Sequence, residues 1–254
     1  MRGFPLALFL VSISAGFARA QSTEQSDIAP SGSLRSGFIG IRVLGGVGEP
    51  VGRFIADRLG LTFTPVVYPN PDAYERSFGS DEWDIALGPR VLAPVDKTDS
   101  TADIWLIDLQ YLAGSRREFA DPDQVDRPGV RIATIQNSPS DRVLTKTLKF
   151  AELIRLPLTP GFPADAIALL RKGGADVFGA DAGLISVIAS GYPEGKLVPG
   201  VFNTVHVAAT LPKGRSSKAQ AKLAEIVSEA KKNGIVQKAI EHAGVASGVH
   251  VAPE

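Results

Sequence analysis

The chain has 254 residues, with 27 Lys and Arg set against 27 Asp and Glu. Balanced charge argues against a nucleic-acid partner or an anionic membrane surface, because both call for a basic excess. Cysteine is absent, so disulfides are excluded, and His206, His242 and His250 show no metal-ligand spacing, so neither a structural metal nor a cofactor is expected.

Residues 1–20, MRGFPLALFLVSISAGFARA, have the layout of a secretory signal: Arg2, an apolar run, then Ala18-Arg19-Ala20 as a small-x-small cleavage site. The apolar run is shorter than the roughly 20 residues a membrane span needs. Export with cleavage after Ala20 is therefore expected, giving a periplasmic protein without membrane insertion. Residues 21–36 are rich in Ser, Gln and Gly and read as a flexible lead-in.

From residue 37 onward apolar runs alternate with amphipathic stretches. Residues 37–44 are a buried-strand candidate, followed by a glycine turn and a helix with Val51, Phe54, Ile55 and Leu59 on one face. Gly60 closes that helix. A strand at 61–68, a short helix within 72–83 and a strand at 84–88 complete a β-α-β-α-β order, which implies a parallel sheet covered by helices. A second unit of similar grammar follows. It has strands at 130–135, 156–159 and 176–180, and helices at 139–153, 164–174 and 182–190. Two apolar stretches, 103–114 and 204–211, can cross between the units. The C-terminal residues read as helices, with Leu223, Ile226, Val227 and Ala230 on one face. The fold class expected is α/β: a two-lobed clamshell, each lobe a mostly parallel sheet flanked by helices. Residues 37–113 and 208–254 form lobe one, residues 114–207 lobe two, and a cleft lies between.

Ligands of open α/β sheets sit at the carboxyl ends of the strands. Gly46-x-Gly48-x-x-x-Gly52 only loosely matches a dinucleotide fingerprint; its glycines suit a close backbone approach to a small solute or a tight turn. Prolines mark helix starts at Glu49-Pro50, Asn70-Pro71, Ser138-Pro139 and Phe162-Pro163. Asn70 and Ser138 suit N-caps, and free N–H groups at such starts can hold an anion. Arg90 and Asp181 each follow a strand, one in each lobe. A guanidinium fork and a carboxylate facing each other suit a zwitterion, the alternative being solvated loop charges or bonds to nearby backbone. Trp105 reads as a packing residue or a ligand contact. Ser228 and Lys231 have S-x-x-K spacing, but on a charged helical stretch that reads as a solvated face.

The segments 78–90, 127–141, 173–183 and 211–216, with the signal, resemble the bacterial extracellular solute-binding proteins of family 3, periplasmic receptors of polar amino-acid ABC importers. The resemblance spans residues 33–252. It implies a monomeric type II periplasmic-binding-protein clamshell that takes a small-molecule solute and delivers it to a membrane permease. Asp181 lies five residues beyond Asp176, where the family binds the α-ammonium group. Asn137-Ser138-Pro139 stands where the family's lobe-two helix meets the ligand carboxylate. The family's arginine falls on Asp96, so Arg90 would substitute for it. The aromatic shelf falls near Pro71, with Tyr68 and Asn70 closest, and Gly45 and Gly46 stand where relatives place an aromatic. The binding set expected is Arg90, Asp181, Ser138, Gly46, Asn70 and Asn137. The function expected is capture of a small zwitterionic or anionic solute without chemistry. The alternatives are a dehydratase-like enzyme using Asp181 as its base, and a ligand sensor for a membrane signalling protein.

Overall fold

The structure, a computed structural model, describes residues 23–159, 161–245 and 247–254; the expected signal at 1–20 and its cleavage after Ala20 lie outside them. The chain begins α1 (Thr23–Ile28), β1 (Ser33–Ile39), α2 (Gly45–Leu59), β2 (Thr62–Tyr68), α3 (Pro71–Arg76) and β3 (Ile85–Pro89). The long strand β4 (Thr98–Ala113) leads to β5 (Arg131–Ile135), α4 (Pro139–Thr147), β6 (Glu152–Leu156), α5 (Phe162–Lys172), β7 (Val177–Asp181) and α6 (Ala182–Gly191). After β8 (Lys196–Leu197), strand β9 (Asn203–Pro212) returns to α7 (Ser217–Lys232), α8 (Ile235–His242) and β10 (Val249–Val251).

Two parallel triplets form the ends of one sheet, in the order β2-β1-β3-β9-β4-β7-β5-β6. Strand β1 runs parallel to β2 and β3, and β5 runs parallel to β6 and β7. The antiparallel pair β4 and β9 joins them. Apolar packing divides at the same place. One cluster draws on residues such as Leu34, Ile55, Trp105 and Leu223, while two others draw on Leu112, Phe162, Phe178 and on Tyr111, Ile132, Val177.

Each triplet is pinned by one buried aspartate. Asp84 is fully buried; it accepts the backbone N–H of Arg35 at 2.8 Å and the Arg35 Nη2 at 2.7 Å, while its own N–H donates to the Arg35 carbonyl. Asp176 repeats this arrangement with Arg131: a 2.8 Å bond from the backbone N–H and a return bond to the Arg131 carbonyl. The start of the first strand is thereby tied to the start of the third in both triplets.

Several boundaries differ from the sequence reading. Residues 23–36 are not a flexible lead-in: α1 and the head of β1 place Ile28, Ala29 and Leu34 in the core, and the Asp27 carboxylate accepts the Ser216 N–H at 2.8 Å. Helix α4 stops at Thr147 because Asp126 captures the N–H groups of Lys149, Phe150 and Ala151, each at 2.9 Å, and turns the chain into β6. The strand expected at 156–159 consequently lies at Glu152–Leu156. Helix α2 begins a turn before Pro50, which falls inside it. Strand β10 adds an antiparallel partner to β4 at Trp105–Ile107 that the sequence reading lacked.

Leaving a backbone donor without its buried acceptor costs about 1–3 kcal/mol, whereas an exposed pair contributes under about 1 kcal/mol. Arg35 keeps a third of its side chain in water and is not left as a buried charge, so Asp84→Ala should lower the urea-unfolding free energy by about 1–3 kcal/mol. Arg58→Ala, which breaks the solvent-facing pair with Glu229, should lower it by less than about 1 kcal/mol. Equal losses would refute the clamp.

Candidate functional site

The carboxyl ends of β1, β5 and β7 open into one cleft with two chambers. The inner chamber, about 60 Å³, is walled by aliphatic side chains including Ile39, Leu44, Ile107, Leu109 and Val205, with Ser138, Ser140 and Asp181 as its polar wall. The outer chamber, about 540 Å³, carries Arg42, Thr159, Ser186 and Ser247 among apolar neighbours. Ile41, Val43, Ile135, Leu158 and Asp181 belong to both, so the two adjoin and Asp181 borders each. Ile41, Leu158 and Val187 leave large apolar surfaces exposed at the mouth.

Asp181 ends β7 and caps α6, its Oδ1 accepting the Leu184 N–H at 2.9 Å. Its position is fixed by pairing with Leu109 of β4. No cation among the described residues forms an ion pair with it. Burial, the largest influence, pushes its carboxyl above the ordinary value, against the local backbone N–H groups that pull it down.

The hydroxyls opposite it have their proton directions fixed. Thr134 donates to the Gly179 carbonyl at 2.8 Å, so at 3.0 Å from Ser140 it can only accept. Ser140 has spent its hydrogen there and therefore accepts from Ser138 at 2.8 Å. Ser138 also accepts the Asp141 N–H at 3.2 Å, which caps α4. A hydroxyl has one hydrogen and two lone pairs, so Ser138 has only an acceptor left for the cleft. This polar wall consequently presents acceptors: a carboxylate and a serine lone pair.

Of the six residues expected at the site, the structure brings Asp181 and Ser138 together in the cleft. Arg90 does not line it. Its guanidinium bonds the Asp103 carboxylate and the Thr101 carbonyl, and Asp103 also takes His206 Nδ1 at 2.7 Å. Burial alone would raise the Asp103 carboxyl, but His206 and Arg90 outweigh it and hold it below its ordinary value. Asn70 is the N-cap of α3, accepting the Ala73 N–H at 2.9 Å; its neighbour Pro71 reaches the inner chamber. Asn137 adopts a left-handed turn at φ 59° and gives its N–H to Asp141 Oδ2 at 2.8 Å.

Gly46 packs against α8, where a Cβ would lie 3.1 Å from the Ala243 Cβ. The N–H groups of Leu44, Gly45 and Gly46 all turn to the Ile41 carbonyl, so this helix start offers them to no anion. A Cβ at Gly45 would meet the Ile39 carbonyl at 2.9 Å, and one at Gly52 would meet Phe63 at 2.8 Å. These glycines serve close packing of α2 on the sheet.

The sequence reading missed Arg42. It is exposed in the outer chamber and, among the described residues, makes no hydrogen bond or ion pair. The loop carrying it is held by Trp105, fully buried, whose indole N–H donates to the Val43 carbonyl at 3.1 Å. Ser228 and Lys231 bond Glu254 and the Pro253 carbonyl, away from the cleft.

No family model and no curated protein matches the chain. Solved structures do. A mutant of ArgBP from T. maritima superposes with a TM-score of 0.62 at 16% identity, over 86% of this chain and 97% of that one. The cysteine-binding protein from Campylobacter jejuni gives 0.65 at 14% identity, over 90% and 99%. An ancestral amino-acid-binding protein, a precursor of cyclohexadienyl dehydratase, gives 0.64 at 17% identity, over 85% and 97%. The chain thus has the two-lobed fold of periplasmic binding proteins, in agreement with the resemblance read from its sequence. Among the described residues no helix is long and apolar enough to cross a membrane.

The raised Asp181 carboxyl has a consequence for stability. The folded protein holds this proton more tightly than the unfolded chain, so ionisation destabilises the fold progressively above the ordinary value near 3.8 and has no effect below it. Asp181→Asn keeps a capping acceptor and removes the charge. The solute-free variant should unfold at a higher temperature than the parent at about pH 7, with the gain vanishing near about pH 3. Calorimetry at both values decides; a gain that persists in acid would refute the burial account.

Proposed function

We propose that this protein is a solute-binding receptor of an ABC importer, working in the periplasm and passing a small amino-acid-like, zwitterionic or anionic solute to a membrane permease. The observation that carries the reading is Asp181: a carboxylate with no cation among the described residues, set among apolar side chains where the two chambers of the cleft adjoin. A half-buried charge among apolar side chains and without a partner is costly unless a ligand supplies one. A cationic group on the solute does so, and the acceptor lone pair of Ser138 adds a second contact.

With α1 and the head of β1 docked on it, lobe one takes residues 23–113 with 208–254, and lobe two residues 114–207. Solute contacts on both shift the hinge equilibrium toward closure. Arg142 on α4 grips Glu75 on α3, at 2.9 and 2.7 Å, beside the inner chamber. We assign this pair as a latch between the lobes. A sensor for a membrane signalling protein would use the same motion. For the enzyme reading the cleft supplies little: among its described lining residues Asp181 and Arg42 are the ionisable groups, so a base has no second proton-handling partner near neutral pH.

Protein unfolded and refolded to strip carried-over solute should be stabilised by amino acids in a thermal-shift screen. A ligand at 100 times its Kd contributes about 2.7 kcal/mol. Asp181→Ala should abolish the shift. A response only to anions lacking an ammonium group would remove Asp181 from the binding set.

The latch is tested separately. It is half-exposed, so Arg142→Ala should weaken the best solute by about two- to fivefold, read by calorimetric titration. An unchanged affinity would show that the pair does not oppose opening.

A further inference from the structure

The cleft specifies more about its solute than a charge pair. Resting on the receptor reading above, we infer that Arg42 holds the solute carboxylate and that the inner chamber selects an aliphatic side chain, so the solute is an aliphatic α-amino acid rather than a polar one.

Three observations converge on this arrangement. Asp181 belongs to both chambers, so an ammonium group bound to it sits at their junction. The fixed hydroxyl relay leaves Ser138 an acceptor, which suits that ammonium and repels a carboxylate. The carboxylate must then point the other way, into the outer chamber, where, among the described residues, Arg42 is the lining cation and makes no hydrogen bond or ion pair. A guanidinium grips a carboxylate through two parallel bonds, which suits this role.

The remaining substituent of the α-carbon faces the inner chamber. That space is small, about 60 Å³, and ringed by Ile39, Leu44, Ile107, Leu109 and Val205. A polar side chain placed there would lose its water without gaining partners, because the polar wall is occupied by the ammonium. An aliphatic one instead gains by burial. Arg90, the guanidinium expected from the sequence, is committed to Asp103 and does not compete for the role.

The test is calorimetric titration of refolded protein with L-leucine, glycine, L-glutamate, L-arginine, and two truncated probes, isoamylamine and isocaproate. L-leucine should bind at least tenfold more tightly than any other member. Arg42→Gln, an exposed and unpaired position, should fold normally and lose at least tenfold for L-leucine. The same variant should bind isoamylamine, which lacks the carboxylate, as the parent does. Tighter binding of L-glutamate or L-arginine than of L-leucine would overturn the aliphatic selection while leaving the receptor reading intact. Undiminished L-leucine binding by Arg42→Gln would overturn the carboxylate assignment alone. Silence across the whole panel, polar amino acids included, would sink the receptor reading and this inference together.

Discussion

Strand β4 changes its hydrogen-bonded neighbours part-way along its length, and the cleft exists because it does. Through Ile107 it pairs with β10, and from Leu109 onward with β7; it pairs with β9 as far as Leu109 and with β8 at Leu112 and Ala113. One continuous backbone thereby serves two parallel triplets whose cores do not merge. Asp108 and Leu109 mark the exchange. Asp108 is held by His250 at 2.7 Å and gives its N–H to Gly248, while Leu109 stands opposite both Asn203 and Asp181. The carboxyl ends of β1 and β7 are thus brought to the same gap, and a side chain at the end of either strand projects into it.

Against that frame the charges divide into two kinds. Asp84, Asp141 and Asp176 are buried and each answered by an arginine, Arg35, Arg155 and Arg131. Asp181, half-buried at the cleft, has among the described residues only backbone N–H groups to answer it. The fold therefore satisfies its structural acids and leaves its cleft acid wanting. Sites that must bind something are where such dissatisfaction is tolerated, since the ligand supplies the missing partner and recovers the cost in affinity. The hydroxyl relay from Ser138 to Gly179 has the same character. Its inner members are satisfied by the protein, and a single lone pair is left at the end that faces the cleft.

Much of the fold was legible in the sequence because it rests on local signals. Apolar runs marked the parallel strands, glycine at positions 60 and 173 closed helices in the left-handed conformation, and Ser138 capped as its type suggests. What escaped was non-local. The end of α4 is set by Asp126, more than twenty residues upstream, and no residue within the helix announces it. The N-terminal segment looked disordered by composition, yet a handful of apolar residues spaced along it suffices to dock it. The site divided in the same manner. The place of Asp181 at the cleft could be read from its spacing after a strand, whereas the engagement of Arg90 by Asp103 depends on where Asp103 falls, past the β-bulges in β4 between Ser100 and Trp105.

The loop that bears Arg42 explains how such a frame accommodates different cleft chemistry. Its backbone is fixed twice, by the Trp105 indole on the Val43 carbonyl and by three N–H groups converging on the Ile41 carbonyl. Neither anchor involves the Arg42 side chain, which among the described residues makes no hydrogen bond or ion pair. A substitution there alters what the outer chamber attracts without disturbing helix α2, whose register is set by the close approach of Gly45 and Gly52 to the sheet. Asp181 is the opposite case, since its carboxylate also caps α6 and its backbone pairs with β4. On the proposed reading, the ammonium-facing half of the cleft is bound to the architecture, and the carboxylate-facing half is free to move between loops. A fold divided in this way keeps its grip on one solute group while its specificity for the rest is decided by exposed loop positions.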